Sequence, residues 1–378
     1  MAGDLHETPM TKGATRGQGL RPMNEYAREV RPHLPPAVFQ REPIRLVWLP
    51  FHGAIIIAMS AFIIWGAPPW YVALACALVA GHSWGCLGLL AHETLHHAVV
   101  KSRSVERLVG LIGFLPFCLS PTLWVAWHNQ AHHGHTGNFF MDPDHFGTLH
   151  LWKKSRYVRW LESLTPGSGY LRSAAFLCTF FSLNSLLMLA LIGEQKGFYA
   201  RTSRRAVRVE TAGMIAIWSA VLVLIGAWNF LFVWLVPTLG ANLIVMSYIA
   251  TNHLLNPFTS VNDPFANTLS VTSPRWLEAL HFQFGYHVEQ HIFPAMSAKH
   301  GRAVREVLIR LYGSRYLSMP HRRALQLVYT RPKLRSRLDV LVNPRSGATY
   351  RALMPGDLSM PELRPESLSS QGAAAHTP

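Results

Sequence analysis

The chain has 378 residues, 49% of hydrophobic type and only 15% charged, with a formal net charge of +15. So few charges, set beside long apolar runs, exclude an ordinary soluble domain and point to a protein that crosses a membrane several times. Lys and Arg cluster in the first 45 residues, at 153–159, at 201–208 and after residue 298. These are the loops and tails between apolar runs, so the charge reads as positive-inside topology and attraction to anionic lipid, not as nucleic-acid binding.

In chain order, residues 1–44 are polar and basic, with no charged-then-apolar signal segment, and read as a flexible cytosolic lead-in. Residues 46–66 are long enough to span. After Ala67-Pro68-Pro69, residues 70–91 span back and deliver His92 to the face where the chain began. Residues 108–119 are short and interrupted by Gly113 and Pro116, and read as re-entrant or interfacial. Residues 170–193 are apolar, but Arg201, Arg204, Arg205 and Arg208 follow, so an interfacial or half-inserted helix is expected. Residues 212–228 and 230–250 form a hairpin with almost no loop. From Thr251 the chain turns soluble, and 303–312 reads as an amphipathic helix capping the site.

The expected fold is therefore an all-α integral membrane protein. It has four transmembrane helices in two hairpins, one or two re-entrant or interfacial helices, and a cytosolic cap of histidine clusters. The expected units are the lead-in 1–44, a catalytic domain 45–312, and a cytosolic tail 313–378, largely disordered toward its end. Cys76, Cys86, Cys118 and Cys178 lie in apolar segments without a Cys-x-x-Cys pair and read as small core residues.

Three histidine clusters carry the chemistry: His92-Glu93-Thr94-Leu95-His96-His97, His128-Asn129-Gln130-Ala131-His132-His133, and His287-Val288-Glu289-Gln290-His291. Each pairs two histidines four residues apart, about 6 Å along a helix axis on one face, close enough to converge on a metal. Eight imidazoles exceed one tetrahedral zinc and suit two metals with open positions. Glu93, Asp142, Asp144 and Glu289 are candidates to fix imidazole tautomers, with helix-surface residues as the alternative for the two glutamates. His281 is a further candidate. On α-helical geometry His97 and His133 fall off the face of the preceding pair.

The three boxes, in this order on this apolar scaffold, resemble the membrane fatty acid desaturase superfamily, which also holds hydroxylases and carotenoid oxygenases. The resemblance rests on His92 and His96; on His128, His132 and His133 with Asp142-Pro143-Asp144 downstream; and on Gly285-Tyr286-His287 through His291-Ile292-Phe293-Pro294. It covers roughly residues 45–312. It implies iron ligands at His92, His96, His128, His132, His133, His287, His291 and His253, with His97, Gln290 and Asn252 as further possibilities. Gln290 departs from the family pattern, which has histidine there.

The resemblance also implies two irons, dioxygen as co-substrate, and two electrons from an external donor such as a ferredoxin or small haem protein. The implied substrate is an acyl chain on a lipid, CoA or carrier, desaturated at a methylene pair. The expected location is a bacterial inner membrane, with the site and both termini cytoplasmic. A hydroxylase or ketolase on the same scaffold, and a non-catalytic metal- or lipid-binding member, are the alternatives. The aromatics Trp124, Trp127, Phe139, Phe140, Phe282 and Phe284 read mainly as an interfacial belt.

Overall fold

The computed structural model describes residues 19–192 and 202–355. Four helical stretches are long and apolar enough to cross a membrane: Pro43–Gly66, Trp70–Leu95, Leu171–Ala190 and Arg204–His253. The first two are a hairpin of α1 (Trp48–Gly66) and α2 (Trp70–Leu95). Ala67 ends α1 in the left-handed region at φ 38°, and Pro68-Pro69 prevents its continuation.

α3 (Arg103–Gly113) then dips back along α2. Gly113 sits so close that a Cβ there would lie 2.4 Å from the Leu87 carbonyl oxygen. A 3₁₀ turn, Leu115–Phe117, reverses the chain, and the Ser120 hydroxyl caps the helical turn Pro121–Trp124 that climbs out. Irregular backbone at this depth is tolerated because protein covers it, and Pro116 and Phe117 are both buried. The base of the dip is held by the buried Glu210 carboxylate. It accepts the Thr122 hydroxyl at 2.8 Å, the Thr122 N–H at 3.1 Å, the Arg107 guanidinium at 2.7 Å and the Ser120 hydroxyl.

Next come α4 (Phe176–Leu187), α5 (Arg204–Phe230) and α6 (Val236–His253). Stretch 204–253 is not one rod. Gly226, at φ 75° and ψ 163°, breaks it. The Trp218 ring lies 6.3 Å from Phe230 and 5.9 Å from Trp234, whereas residues 12 to 16 apart on a straight helix would be about 18–24 Å apart. The chain therefore reverses at Gly226, and 204–225 and 227–253 are two antiparallel arms.

Parity then settles stretch 171–190. Glu210 ties the start of α5 to the loop that carries the second histidine box. Tyr170 lies under Arg345 at 4.4 Å, in the C-terminal unit whose Leu353 N–H bonds Leu255, two residues past His253. Both ends of the stretch are thus on one side, and it enters the apolar layer without crossing it. α1, α2 and the two arms make the four crossings.

Beyond α6 the chain folds over the site. β1 (Ser270–Thr272) pairs in parallel with β2 (Ser318–Pro320). α7 (His287–Ile292) carries the third box, and α8 (Gly301–Tyr312) covers it by burying Val304, Val307 and Leu308 beside Ile292 and Phe293. Residues 321–351 continue as α9 (His321–Thr330) and an antiparallel sheet of β3 (Leu334–Arg337), β4 (Val340–Val342) and β5 (Thr349–Arg351). The expected disorder at the chain end falls outside the described residues.

α2 and α6 set the distance between the first box and His253, and they meet through small residues. A Cβ on Gly81 would lie 2.8 Å from the Pro237 oxygen, and one on Gly85 would lie 2.8 Å from the Ile244 Cβ. Gly85→Leu should therefore cost about 1–3 kcal/mol by forcing these helices apart. Gly53→Leu, where no atom lies within 4 Å of the added Cβ, should be near neutral. Thermal unfolding in detergent, followed by tryptophan fluorescence, checks both.

Candidate metal centre

The last turn of α2 presents His92, and His96 caps that helix. His97 then adopts φ 66°, which turns its ring away: Nδ1 lies 2.8 Å from the Glu106 carboxylate, and Arg103 lies alongside. His97 is thus outside the cluster.

The second box is wound as a π-helix over Val125–His132. This wider turn brings residues five apart into register, so His133 as well as His132 faces His128. His133 Nε2 lies 3.2 Å from His128 Nε2, and the His132 ring stacks on His128 at 5.2 Å. The expectation that His133 falls off the face fails because it assumes an α-helix.

On α7, His287 and His291 share a face with Nε2 atoms 3.2 Å apart, and His253 Nε2 lies 2.6 Å from His287 Nε2. Two groups result. His92, His96 and His128 place one nitrogen each within 4.8 Å of one another, and so do His132, His253 and His291. His133 adjoins both, 4.7 Å from the His96 ring and stacked at 4.1 Å on His291. His128, His132 and Asp144 form a third such set where the groups meet.

The acidic candidates divide. Asp142 accepts from His132 Nδ1 at 2.9 Å and from the Gly137 N–H at 2.7 Å. Asp144 lies 3.5 Å from the same Nδ1 and accepts the Trp127 indole N–H at 2.8 Å. Glu93 does not reach an imidazole. Its carboxylate is taken up by Arg45 at 2.8 and 3.0 Å, the Ser297 hydroxyl at 2.5 Å and the Ala298 N–H at 3.1 Å. Glu289 also acts elsewhere: it accepts from Tyr316 and from Ser270, whose oxygen caps the His287 and Val288 N–H groups. His281 bonds His82 at 3.2 Å and the Tyr248 hydroxyl at 2.9 Å, and no box histidine.

Gln290 meets the far edge of His92, with its amide 3.2 Å from Nδ1. Asn252 is fully buried, and neither side-chain polar atom has a hydrogen-bond partner among the described residues.

Sequence reasoning missed Thr136, whose hydroxyl lies 3.2 Å from His291 Nδ1, and Asn267, whose carbonyl lies 3.4 Å from His253 Nδ1. Neither carries a spacing signal. They reach the site only because the chain after each box folds back on it.

Burial holds His128, His133, His287 and His291 well below the ordinary histidine value, and neighbouring imidazoles push them further down. Burial acts on His132 in the same direction, but Asp142 and Asp144 outweigh it and leave this ring above its ordinary value. Burial would raise Asp142, but His132 and the N–H groups of Asp144 and Gly137 bring it to about 2.

The residues fit a metal. His96 Nε2 and His132 Nε2 are buried without a hydrogen-bond partner among the described residues, a state costly for bare imidazole and normal for a ligand nitrogen. A neutral, nitrogen-rich donor set suits a divalent transition metal.

A cavity opens onto both groups. His92, His132, His253 and His287 form its polar end, and Phe146, Phe176, Phe180, Leu187, Val245 and Ile249 line its apolar walls. Trp124, Trp127 and Phe284 also line it, whereas Phe139, Phe140 and Phe282 do not.

The family model for fatty acid desaturases matches residues 68–323. The chain belongs to the fatty acid desaturase family. It is 23% identical over 277 residues to the sn-1 oleoyl-lipid 12-desaturase of Picosynechococcus, covering 70% of this chain and 77% of that one. It is 24% identical over 310 residues to the chloroplastic omega-6 fatty acid desaturase of Spinacia oleracea, covering 78% and 65%. It is 23% identical over 288 residues to the acyl-lipid (9-3)-desaturase of Borago officinalis, covering 68% and 62%. The chain thus spans just under two thirds of the length of these two plant relatives. It is a membrane oxidoreductase, a fatty acyl desaturase.

The depressed histidines make the metal-free desaturase acid-sensitive. Their folded values lie below the unfolded value near 6.5, so the unfolded chain binds more protons as pH falls through 6.5, and stability falls with it. Each of the four can contribute up to about 1 kcal/mol per pH unit below that point, and His132, whose value is raised and which is charged in both states there, adds nothing to the slope. Melting temperatures of chelator-treated protein between pH 7.5 and 5.5 should drop steeply, and metal loading should flatten the curve.

Proposed function

We propose that this desaturase holds two irons in the two histidine groups and acts on the acyl chain of a membrane lipid. The first site draws on His92, His96, His128 and His133, the second on His132, His253, His287 and His291. The apolar cavity that ends on nitrogens of both groups carries this reading. An acyl chain offers nothing but apolar surface, and a wall of Phe, Leu, Val and Ile side chains can hold it without charge. The lipid-linked substrates in the names of two relatives support a lipid head group over CoA or a carrier.

Iron bound there would supply activation of dioxygen and removal of hydrogen from an unactivated methylene pair. Overall, the chain loses two hydrogens, and dioxygen with two electrons and two protons leaves as two waters. The protein's part is placement. Asp142 and Asp144 hold the His132 ring by its Nδ1 edge, and the Asn267 carbonyl does the same for His253. The aromatic walls keep water from the reacting carbons.

Arg204, Arg205 and Arg208 lie at the start of α5, on the site's side, which supports a cytoplasmic active site. The electrons come from a separate acidic carrier, a ferredoxin or small haem protein. Lys153, Lys154 and Arg156 are exposed, and Tyr157 and Leu161, next along the chain, line the cavity. Reversing the charge of these three should slow reduction by a purified carrier at low salt about tenfold or more and leave iron content unchanged. An unchanged reduction rate would place docking elsewhere.

The central test pairs iron content of the purified protein with lipid profiles of cells expressing the wild type or His132→Ala. The expected result is about two irons per chain and a new unsaturated lipid species, both diminished in the variant. A hydroxy or keto product would assign hydroxylase or ketolase chemistry on this scaffold instead.

A further inference from the structure

We infer that Gln290 is a positioning residue for His92: its side-chain carbonyl holds the Nδ1 edge of that imidazole and so frees Nε2 for metal. The inference rests on the reading of the histidine groups as metal ligands. Gln290 lies on α7 and His92 at the end of α2, 198 positions apart, and both side chains are buried. The Gln290 side-chain nitrogen is 3.2 Å from His92 Nδ1, while His92 Nε2 points the other way, 3.0 Å from His128 Nε2. Gln290 is therefore on the back of the ring and not among the converging nitrogens.

A neutral imidazole carries one proton. Nε2 has a lone pair for metal only when that proton is on Nδ1, and a buried Nδ1–H needs an acceptor. A half-turn of the glutamine amide, which leaves its shape unchanged, exchanges that nitrogen for the oxygen, and the tautomer that frees His92 Nε2 for metal requires this turn, so that the oxygen accepts from Nδ1–H.

Three other box and helix-end histidines show the same pattern with different acceptors. His132 has the Asp142 carboxylate, and His253 has the Asn267 carbonyl. His291 has the Thr136 hydroxyl, whose own proton is already given to the His132 carbonyl at 2.8 Å, leaving its oxygen to accept. Gln290 adds a fourth such pair, at His92, while the Nδ1 atoms of His133 and His287 have no hydrogen-bond partner among the described residues. An amide is a weaker acceptor than a carboxylate, so His92 is held less firmly than His132.

The test is anaerobic ferrous iron titration of the detergent-purified full chain against a competing chelator, with X-ray absorption to count light-atom neighbours. Gln290→Leu keeps the bulk and removes the acceptor. It should weaken one of the two irons by about 10- to 100-fold, leave the other at wild-type affinity, and leave the nitrogen count of the loaded protein unchanged. Gln290→Glu restores an acceptor of the same shape and should return the affinity to at least the wild-type value.

Three results overturn the inference. The first is unchanged affinities in Gln290→Leu. The second is loss of an oxygen neighbour at bonding distance in that variant, which would make Gln290 a ligand. The third is failure of Gln290→Glu to rescue in protein whose melting temperature matches the wild type. Absence of iron in the wild type would instead overturn the ligand reading itself, and this inference with it.

Discussion

Eight imidazoles must arrive together uncharged, and the rest of the desaturase is arranged around that requirement. A protonated ring cannot bind metal, and several protonated rings packed at about 5 Å between centroids would repel strongly in a dry site. Burial serves this requirement by making the charged form costly, except at His132, where Asp142 and Asp144 outweigh it. Burial in turn demands that four separate chain segments deliver histidines to one level of one membrane face. Parity of crossing follows. Between His92 and His253 the chain is allowed only an even number of crossings, so two apolar stretches must dip and return. The re-entrant loop behind α3 and the stretch 171–190 are those two.

Buried carboxylates with full partner sets hold the segments in register. Glu93 joins the first-box helix to Arg45 before α1 and to Ser297 after the third box, with both charged groups largely hidden from solvent. Glu210 joins α5 to the loop that launches the second box. Ion pairs of this kind add little net stability, because desolvation offsets attraction. What they contribute is a single permitted arrangement, since any slip of one segment leaves a buried charge unpaired. This explains why glutamates that sit beside histidines in the sequence, Glu93 and Glu289, turn away from the metal groups in space.

The spans, the hairpin reversing near residue 226 and the convergence of three boxes with His253 were legible in the sequence, because hydrophobic length and four-residue spacing are local signals. The π-helical turn was not. Counting four residues per face presumes an α-helix, and nothing in Val125-Ala126-Trp127-His128 announces a wider winding. The partners of Glu93, His281 and Glu289 were likewise hidden, since they lie between 19 and 205 positions away and depend on which loops return to the site. The cavity walls were missed for a related reason. Phe176 and Phe180 belong to a stretch whose apolar character served only to place it relative to the membrane.

That stretch is where shape takes over from coordination chemistry. A hydrocarbon chain presents no polar group by which one methylene can be told from the next, so on the proposed acyl-lipid reading the cavity walls position it by shape. Part of that wall is α4, and its depth against α6 is fixed by one polar contact inside the apolar layer. Asn242 accepts the Ser182 N–H at 3.0 Å and donates to the Ser182 hydroxyl at 2.9 Å and to the Thr238 carbonyl at 2.8 Å. An unpaired amide there would cost far more than in water, so the pairing locks the axial position of α4. The same lock sets where Phe180, Asn184 and Leu187 stand relative to His132 and His253. The shape of the cavity in this desaturase thus depends on a helix register inside the membrane.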